Sequence, residues 1–257
     1  MSDALFLAPL VTGHGAEATA GDRIAVTGDE GRHAAVVKRI ELGESVLLAD
    51  GHGRAVRGPV VGVSRQGIVV EVGETLTTPE RSHRWVAVQA LAKGDRSDLA
   101  VETMTELGVD EVLAWQATRS IVRWSVEKQA KGLAKWGSTA REATKQSRRY
   151  RIPEVGYATT KQLVQRIESA PLALVLHESA TAHIGEVQLP AGSTDSPAEV
   201  LFIVGPEGGI SPEELAAFRE AGAVPVLVSD GVLRTSTAGV VGLAQLQLLA
   251  STTRESR

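Results

Sequence analysis

The chain predicts an α/β fold built on a parallel sheet and preceded by a small β-rich domain, on three observations. From Trp85 onward, short apolar runs alternate with helical stretches. The runs WVAVQAL, EVLAW, LALVL, LFIV and PVLV lack the polar–apolar alternation of half-exposed strands, so each reads as a strand covered on both faces. Before residue 75 the pattern differs, with short β-rich runs separated by glycine-containing turns.

Bulk properties narrow the function classes. A chain of 257 residues holds one large or two modest domains, each able to bury a core. With no cysteine, disulfides, thiolate metal sites and thiol nucleophiles are excluded, which fits a reducing cytoplasm. The first residues lack the basic and apolar segments of a signal peptide, and no run approaches the ~18 apolar residues of a membrane span. A cytoplasmic, non-membrane protein is expected. Net charge is −4, yet Arg119, Arg123, Lys128, Lys131, Lys135, Arg141, Lys145, Arg148, Arg149 and Arg151 face only Glu127 and Glu142 across residues 119–151. One-signed density of that kind suits binding to phosphates.

Taken in order, residues 1–74 hold strands at Arg23–Val26, Ser45–Leu48, Ala55–Val63 and Ile68–Val72, with a helical patch at Glu30–Ile40. A small barrel with one helix is expected there. Residues 75–82 (TLTTPERS) read as a linker, leaving 83–257 as the α/β domain. After the strand WVAVQAL, the stretch RSDLAVETMTELG is a capped helix ending at Gly108. EVLAW follows, then a long helix from about Glu127 to Arg148, and residues 185–199 form an exposed loop. Within the long helix, Arg141, Lys145 and Arg148 recur on one face, expected outward, while Leu133, Trp136, Ala140 and Ala143 follow core spacing.

Three strand ends carry the candidate chemistry: His177-Glu178-Ser179 after LALVL, GPEGGISPEEL after LFIV, and SDGVLRTSTAG after PVLV. In the second, Gly205, Gly208 and Gly209 let backbone approach a ligand, and Ser211-Pro212-Glu213-Glu214 opens a helix with a cap. The third supplies Arg234 and the hydroxyls of Thr235, Ser236 and Thr237 at another helix start. Loops at neighbouring strand ends make a cradle for a small polar ligand. Neither Gly13-His14-Gly15 nor Gly51-His52-Gly53 is a dinucleotide fingerprint, and no Walker loop, nucleophile elbow or zinc-binding helix occurs. No metal site is expected.

GPEGGISPEEL together with LRTSTAG resembles the SPOUT class of methyltransferases, specifically the bacterial uridine-N3 methyltransferases of small-subunit (16S) ribosomal RNA. Glu142-Ala143, Gln146-Ser147, Arg149 and Pro153 reproduce a further run of that family, as do Lys93-Gly94-Asp95-Arg96 and Glu106-Leu107-Gly108-Val109. The segment from Gly31 to Gly53 is similar to the family's N-terminal PUA-like RNA-binding barrel. General rules favour an unknotted doubly wound sheet. The resemblance instead implies a C-terminal trefoil knot, a homodimer, S-adenosylmethionine as cofactor, and 16S rRNA or the small ribosomal subunit as partner.

Carried onto this chain, the cofactor positions are Leu176, His177, Glu178, Val204, Gly205, Pro206, Glu207, Gly209, Val228, Ser229, Leu233, Thr235 and Ser236. The RNA-binding candidates are Arg32, Lys38, Arg39, Lys93, Arg96, Arg119, Arg123, Arg141, Lys145, Gln146, Arg148 and Arg149. Methylation at uridine N3 needs a charge stabiliser for O2 or O4 and a proton acceptor, for which Arg234 and Glu207 are the catalytic candidates. The chain departs from the family at Ser236, where a Glu is common, and at Thr103, where a Lys is common. A non-catalytic RNA-binding or ribosome-assembly factor, or a knotted methyltransferase acting on another RNA, are the alternatives. The terminal helix, Ser236–Ala250, is apolar or small nearly all round, which calls for burial on more than one face and a second subunit.

Overall fold

The computed structural model describes residues 3–12 and 15–255, so Gly13 and His14 of the first glycine–histidine–glycine run lie outside the described residues. The chain divides into two compact units, Met1–Pro79 with Thr144–Ile152, and Glu80–Ala143 with Pro153–Arg257.

The first unit is a β-sheet with one short helix, α1 (Gly28–Arg32), that runs on into a wider turn through Val37. Its strands are β1 (Ala4–Leu7), β2 (Arg23–Val26), β3 (Ser45–Ala49), β4 (Arg54–Ser64), β5 (Gly67–Glu71) and β6 (Glu74–Thr77). They order β1-β3-β4-β5-β2, with β6 also on β4. The long β4 pairs with β3 and β6 through its first half and with β5 through its second, changing over at an irregularity between Val60 and Gly62. Alternation sorts the side chains. Phe6, Leu48, Val56, Ile68 and Val70 share one core, while Leu5, Leu7, Leu47 and Ala55 form another against Tyr150 and Ile152. That second core explains why Thr144–Ile152 belongs to this unit.

The expected boundary shifts for a related reason. Thr75–Thr77, read as the start of a linker, belong to β6 and pair with β4, and the unit runs to Pro79.

The second unit is the α/β part. Its strands β7 (His83–Ala90), β8 (Glu111–Trp115), β9 (Glu154–Ala158), β10 (Leu172–Leu176), β11 (Ala198–Val204) and β12 (Val224–Val226) are all parallel, in the order β12-β10-β11-β7-β8-β9. Its helices are α2 (Arg96–Leu107), α3 (Val126–Gln146), α4 (Thr160–Ser169), α5 (Pro212–Glu220) and α6 (Thr235–Glu255). The last three residues of α3 group with the first unit. Helix α2 stops at Gly108, whose φ of +86° closes the turn.

One sheet face carries Val86, Val88, Leu113, Trp115, Val175, Leu201 and Ile203, packed with Leu163 and Ile167 of α4 and Phe218 of α5. Phe218 is wholly buried 5.3 Å from the Trp115 ring, and such a side chain contributes about 1.5–3 kcal/mol. The other face lies under α2 and α6. Helix α6 approaches the strands closely through its small residues. A Cβ on Gly239 would sit 2.7 Å from Met104 Sδ, and one on Gly242 2.9 Å from Leu176 Cδ1. Leu243 and Leu246 are buried here, whereas Leu248 remains 64% exposed.

At the amino ends of the strands lies a ladder of charges. Arg166 Nη2 reaches Glu199 at 2.7 Å and Glu111 at 3.0 Å. Arg84 meets Glu111 at 2.7 Å, Glu154 at 3.3 Å and Glu199 at 3.5 Å. Against the cost of burying Arg166, its carboxylate partners hold the guanidinium charged far above physiological pH.

Candidate active site

Strands β12, β10 and β11 are neighbours and point the same way, so their carboxyl ends Val226, Leu176 and Val204 stand side by side. The three loops singled out in the sequence therefore start at one edge of the sheet, where open α/β sheets bind ligands. Backbone bonds lace the outer two. His177 N–H donates to Val226 at 3.0 Å, Leu227 N–H to Ala182 at 2.9 Å and Ile184 N–H to Leu227 at 2.8 Å. Leu176 is buried, His177 partly exposed and Glu178 exposed. The His177 ring holds its own loop, with Nδ1 2.9 Å from Ser179 Oγ.

The middle loop, residues 205–211, is pinned by two carboxylates. Glu214 Oε2 accepts from Ser211 N–H at 3.2 Å, the reciprocal half of the cap on α5. Its Oε1 accepts from Thr118 N–H at 2.8 Å and Thr118 Oγ1 at 2.9 Å, fastening α5 to the loop after β8. Glu207 Oε1 accepts from Lys93 N–H at 3.0 Å and Arg96 Nη1 at 2.9 Å, fastening the loop to the segment after β7. Burial pushes the Glu207 carboxyl up, but backbone N–H donors and the Arg96 guanidinium outweigh it and hold the group below the usual carboxylate range. A carboxylate so held is a latch in this structure. Between the two fasteners, Gly209 takes φ +71°, its N–H donating to Pro206 at 2.9 Å, and a Cβ there would meet nothing within 4 Å.

The third loop leads into α6. Val228 and Ser229 are partly buried, and Val228 C=O accepts from Gln245 Nε2 at 2.9 Å. Asp230, Gly231 and Val232 are exposed, Val232 to 81%, and Leu233 is half-buried. Arg234 is exposed, and its carbonyl receives Thr237 N–H at 2.8 Å and Ala238 N–H at 2.9 Å as α6 begins. Thr235 and Ser236 are buried. Thr235 Oγ1 donates to Gly205 C=O at 2.8 Å, tying the start of α6 to the glycine loop. The arrangement offers backbone donors and acceptors from three loops and the positive ends of two helices, with the exposed Arg234 at the rim. It suits a small, polar, partly anionic ligand.

The basic candidates fall into separate groups. In the first unit Arg32, Lys38 and Arg39 are exposed, as are Gln146 and Arg148. Lys145 departs from the outward orientation expected of it. Its Nζ lies 3.0 Å from Glu30 Oε1 with only 10% of the side chain exposed. Helical spacing identifies a face but not what a neighbouring element, here α1, places against it. In the second unit Arg119 and Arg123 are exposed near the glycine loop, with Arg119 Nη1 3.4 Å from Gly208 C=O and Arg123 Nη2 2.9 Å from Thr118 C=O. Lys135 pairs with Asp98 at 2.5 Å, so part of the local positive charge is balanced from α2. Among the described residues no cluster of His, Asp or Glu is placed to hold a metal ion, and no helix is long and apolar enough to cross a membrane.

Two members of the site escaped the sequence reading. Glu214 was legible as a helix cap but not as the anchor for Thr118. Gln89, wholly buried at the end of β7, donates through Nε2 to Thr235 Oγ1 at 2.9 Å and to Ala90 C=O at 3.2 Å. One signal was available: a single amide inside the otherwise apolar run WVAVQAL.

Comparison with known proteins adds to this geometry. The profile of a family described as an RNA methyltransferase domain matches residues 79–247. Ribosomal RNA small subunit methyltransferase E of Mycobacterium bovis is 46% identical over 231 residues, covering 88% of this chain and 86% of that one. The protein of the same name from Bacillus subtilis is 28% identical over 231 residues, covering 86% and 88%. Among solved structures, the Neisseria gonorrhoeae ribosomal RNA small subunit methyltransferase E bound to S-adenosyl methionine superposes with a TM-score of 0.81 at 25% identity, over 96% of this chain and 98% of that one.

Proposed function

This chain belongs to the RNA methyltransferase domain family, and from that membership we propose that it methylates N3 of a uridine in small-subunit ribosomal RNA, with S-adenosylmethionine as methyl donor. The observation that carries the reading is the set of three adjacent parallel strand ends, followed by the His177–Ser179 loop, by a glycine turn that runs into a capped helix start, and by a loop that ends in a hydroxyl-rich helix start.

The residues fit such a cofactor. Residues 176–178, 204–209 and 228–236 follow the three strand ends, where their backbone would read adenine, ribose and the amino-acid end, and Gly209 leaves open the space a side chain would occupy. Bound there, S-adenosylmethionine supplies a methyl group on a sulfonium that needs no metal to leave. The protein's task is the nucleophile, because uracil N3 carries a proton and attacks only as that proton departs. Arg234 at the rim would hold O2 or O4 as negative charge develops on the ring. Glu207, engaged by Lys93 and Arg96, would keep the glycine loop in place rather than take that proton.

The same reading covers the finer architecture and the partners. The first unit would act as a PUA-like RNA-binding barrel, with Arg32, Lys38 and Arg39 on phosphates. The C-terminal segment would form a trefoil knot, supported by the lacing of Leu227 to residues 182–184 and by the close seat of α6. Two chains would associate through α6, where Leu248 is exposed, and the enzyme would work in the cytoplasm. Light scattering should then give twice the 27.1 kDa chain mass at micromolar concentration. Nucleoside mass spectrometry of small-subunit rRNA from a deletion strain tests the function. 3-Methyluridine should vanish at one position and return with the wild-type gene; an unchanged profile would overturn the assignment.

A further inference from the structure

The amide of Gln89 has a fixed orientation. Thr235 Oγ1 has one proton and spends it on Gly205 C=O at 2.8 Å, so it can only accept from Gln89, and it does so from Nε2 at 2.9 Å. Ala90 C=O, 3.2 Å from the same nitrogen, fixes the amide further, because a flipped amide would set two carbonyl oxygens against each other. In consequence Gln89 Oε1 faces inward with no hydrogen-bond partner, in a side chain with no exposure at all. Such orphaned acceptors are rare because they forfeit hydration without replacing it. A leucine would fill this strand position without that cost, as the neighbouring Val88 and Leu91 do.

What the amide secures is a relay: Gln89 Nε2–H to Thr235 Oγ1, and Thr235 Oγ1–H to Gly205 C=O. Gly205 begins the loop that would hold the cofactor, and Thr235 directly follows the rim cation Arg234. We propose that Gln89 is a positioning residue for methyl transfer, setting the glycine loop and the start of α6 in register through the hydroxyl of Thr235. It touches neither ligand nor reacting atoms. The inference rests on the cofactor reading above, but the relay itself is a property of the ligand-free chain.

The test uses Gln89→Leu, Thr235→Val, Thr235→Ser and the double variant Gln89→Leu/Thr235→Val in the full-length chain. Calorimetry with S-adenosylmethionine should show about a fivefold weakening in Gln89→Leu and in Thr235→Val, near-wild-type affinity in Thr235→Ser, and no further loss in the double variant. Hydrogen exchange without ligand should show faster exchange at the Thr237 and Ala238 amides in Gln89→Leu, Thr235→Val and the double variant, but not in Thr235→Ser. Should Gln89→Leu fail to fold, the Thr235→Val and Thr235→Ser pair decides. Affinity within twofold of wild type in both disrupted variants, or losses that multiply in the double variant, would overturn the proposal. A wild-type chain that binds no S-adenosylmethionine would instead sink the functional reading, and the exchange rates would still decide whether the relay exists.

Discussion

Replacing Gly209 by valine separates a ligand cradle from an ordinary tight turn. At φ +71° an L-residue is strained, and a β-branched one most of all, while the space its Cβ would enter holds no protein atom within 4 Å. The cost to the empty protein is therefore conformational alone, about 1–3 kcal/mol. For a chain of this size each kcal/mol lowers the unfolding midpoint by about 2–4 °C. Gly222 provides the matched control. It sits in the turn before β12, away from the carboxyl ends, with φ +103° and equally open surroundings. Gly209→Val and Gly222→Val should therefore lose comparable stability in thermal scans. Only the first should weaken S-adenosylmethionine binding, by more than about tenfold in calorimetry (some 1.4 kcal/mol). Undiminished affinity in a folded Gly209→Val chain, or an equal loss in Gly222→Val, would refute the placement of the cofactor against this loop.

Arg234→Ala should cut kcat by about 10²-fold with cofactor affinity little changed; a defect confined to KM for RNA would make it a docking residue. Alanine at Arg148 and Arg149 together should weaken rRNA binding and flatten its salt dependence, as filter binding across a salt series would show. Lys145→Ala should instead lower the unfolding midpoint, because its ammonium serves Glu30. Glu207 titrates below its unfolded value of about 4.3, so its latch contributes stability above that pH and loses it as pH falls through the lower folded value. Cofactor affinity should thus hold from neutrality down through the ordinary carboxylate range and decline only below it, whereas Glu207→Gln should bind more weakly at neutral pH and lose that acid-dependent decline.

The candidate site was legible where chemistry leaves local marks. Ser211-Pro212-Glu213-Glu214 announces a helix start whatever surrounds it, and the apolar runs before His177, Gly205 and Ser229 marked three strands, the last of which ends two residues earlier, at Val226. The short β9 and α4 were not read, because Glu154–Ala158 mixes a glutamate, a glycine and a tyrosine with only a valine and an alanine, and α4 is only ten residues long. Nor was the use of Thr144–Ile152 by the first unit, since Tyr150 and Ile152 join its core from a short irregular segment far along the chain, where no periodicity marks them. The anchoring roles of Glu207, Glu214 and Gln89 span 114, 96 and 146 residues of sequence. Contacts at such separations leave no periodicity to find. The SPOUT resemblance supplied the roles, and the geometry then supplied the partners.

The charge ladder at the opposite end of the strands has a consequence for assembly of the sheet. Runs such as LALVL and VLFIV are apolar on both faces, so sliding one strand past its neighbour by a residue would still bury oil against oil. Charges do not tolerate that slip. Glu199 stands opposite Arg84 in the β11–β7 pairing, and a shift of one residue would turn its carboxylate to the far face, away from both Arg84 and Arg166. Five ionic groups drawn from positions 84, 111, 154, 166 and 199 thus act as an alignment key, satisfied together in one arrangement of four strands and a helix. The glycine loop after β11 and the Lys93–Arg96 segment after β7, which Glu207 joins, inherit that alignment from groups at the opposite ends of their strands.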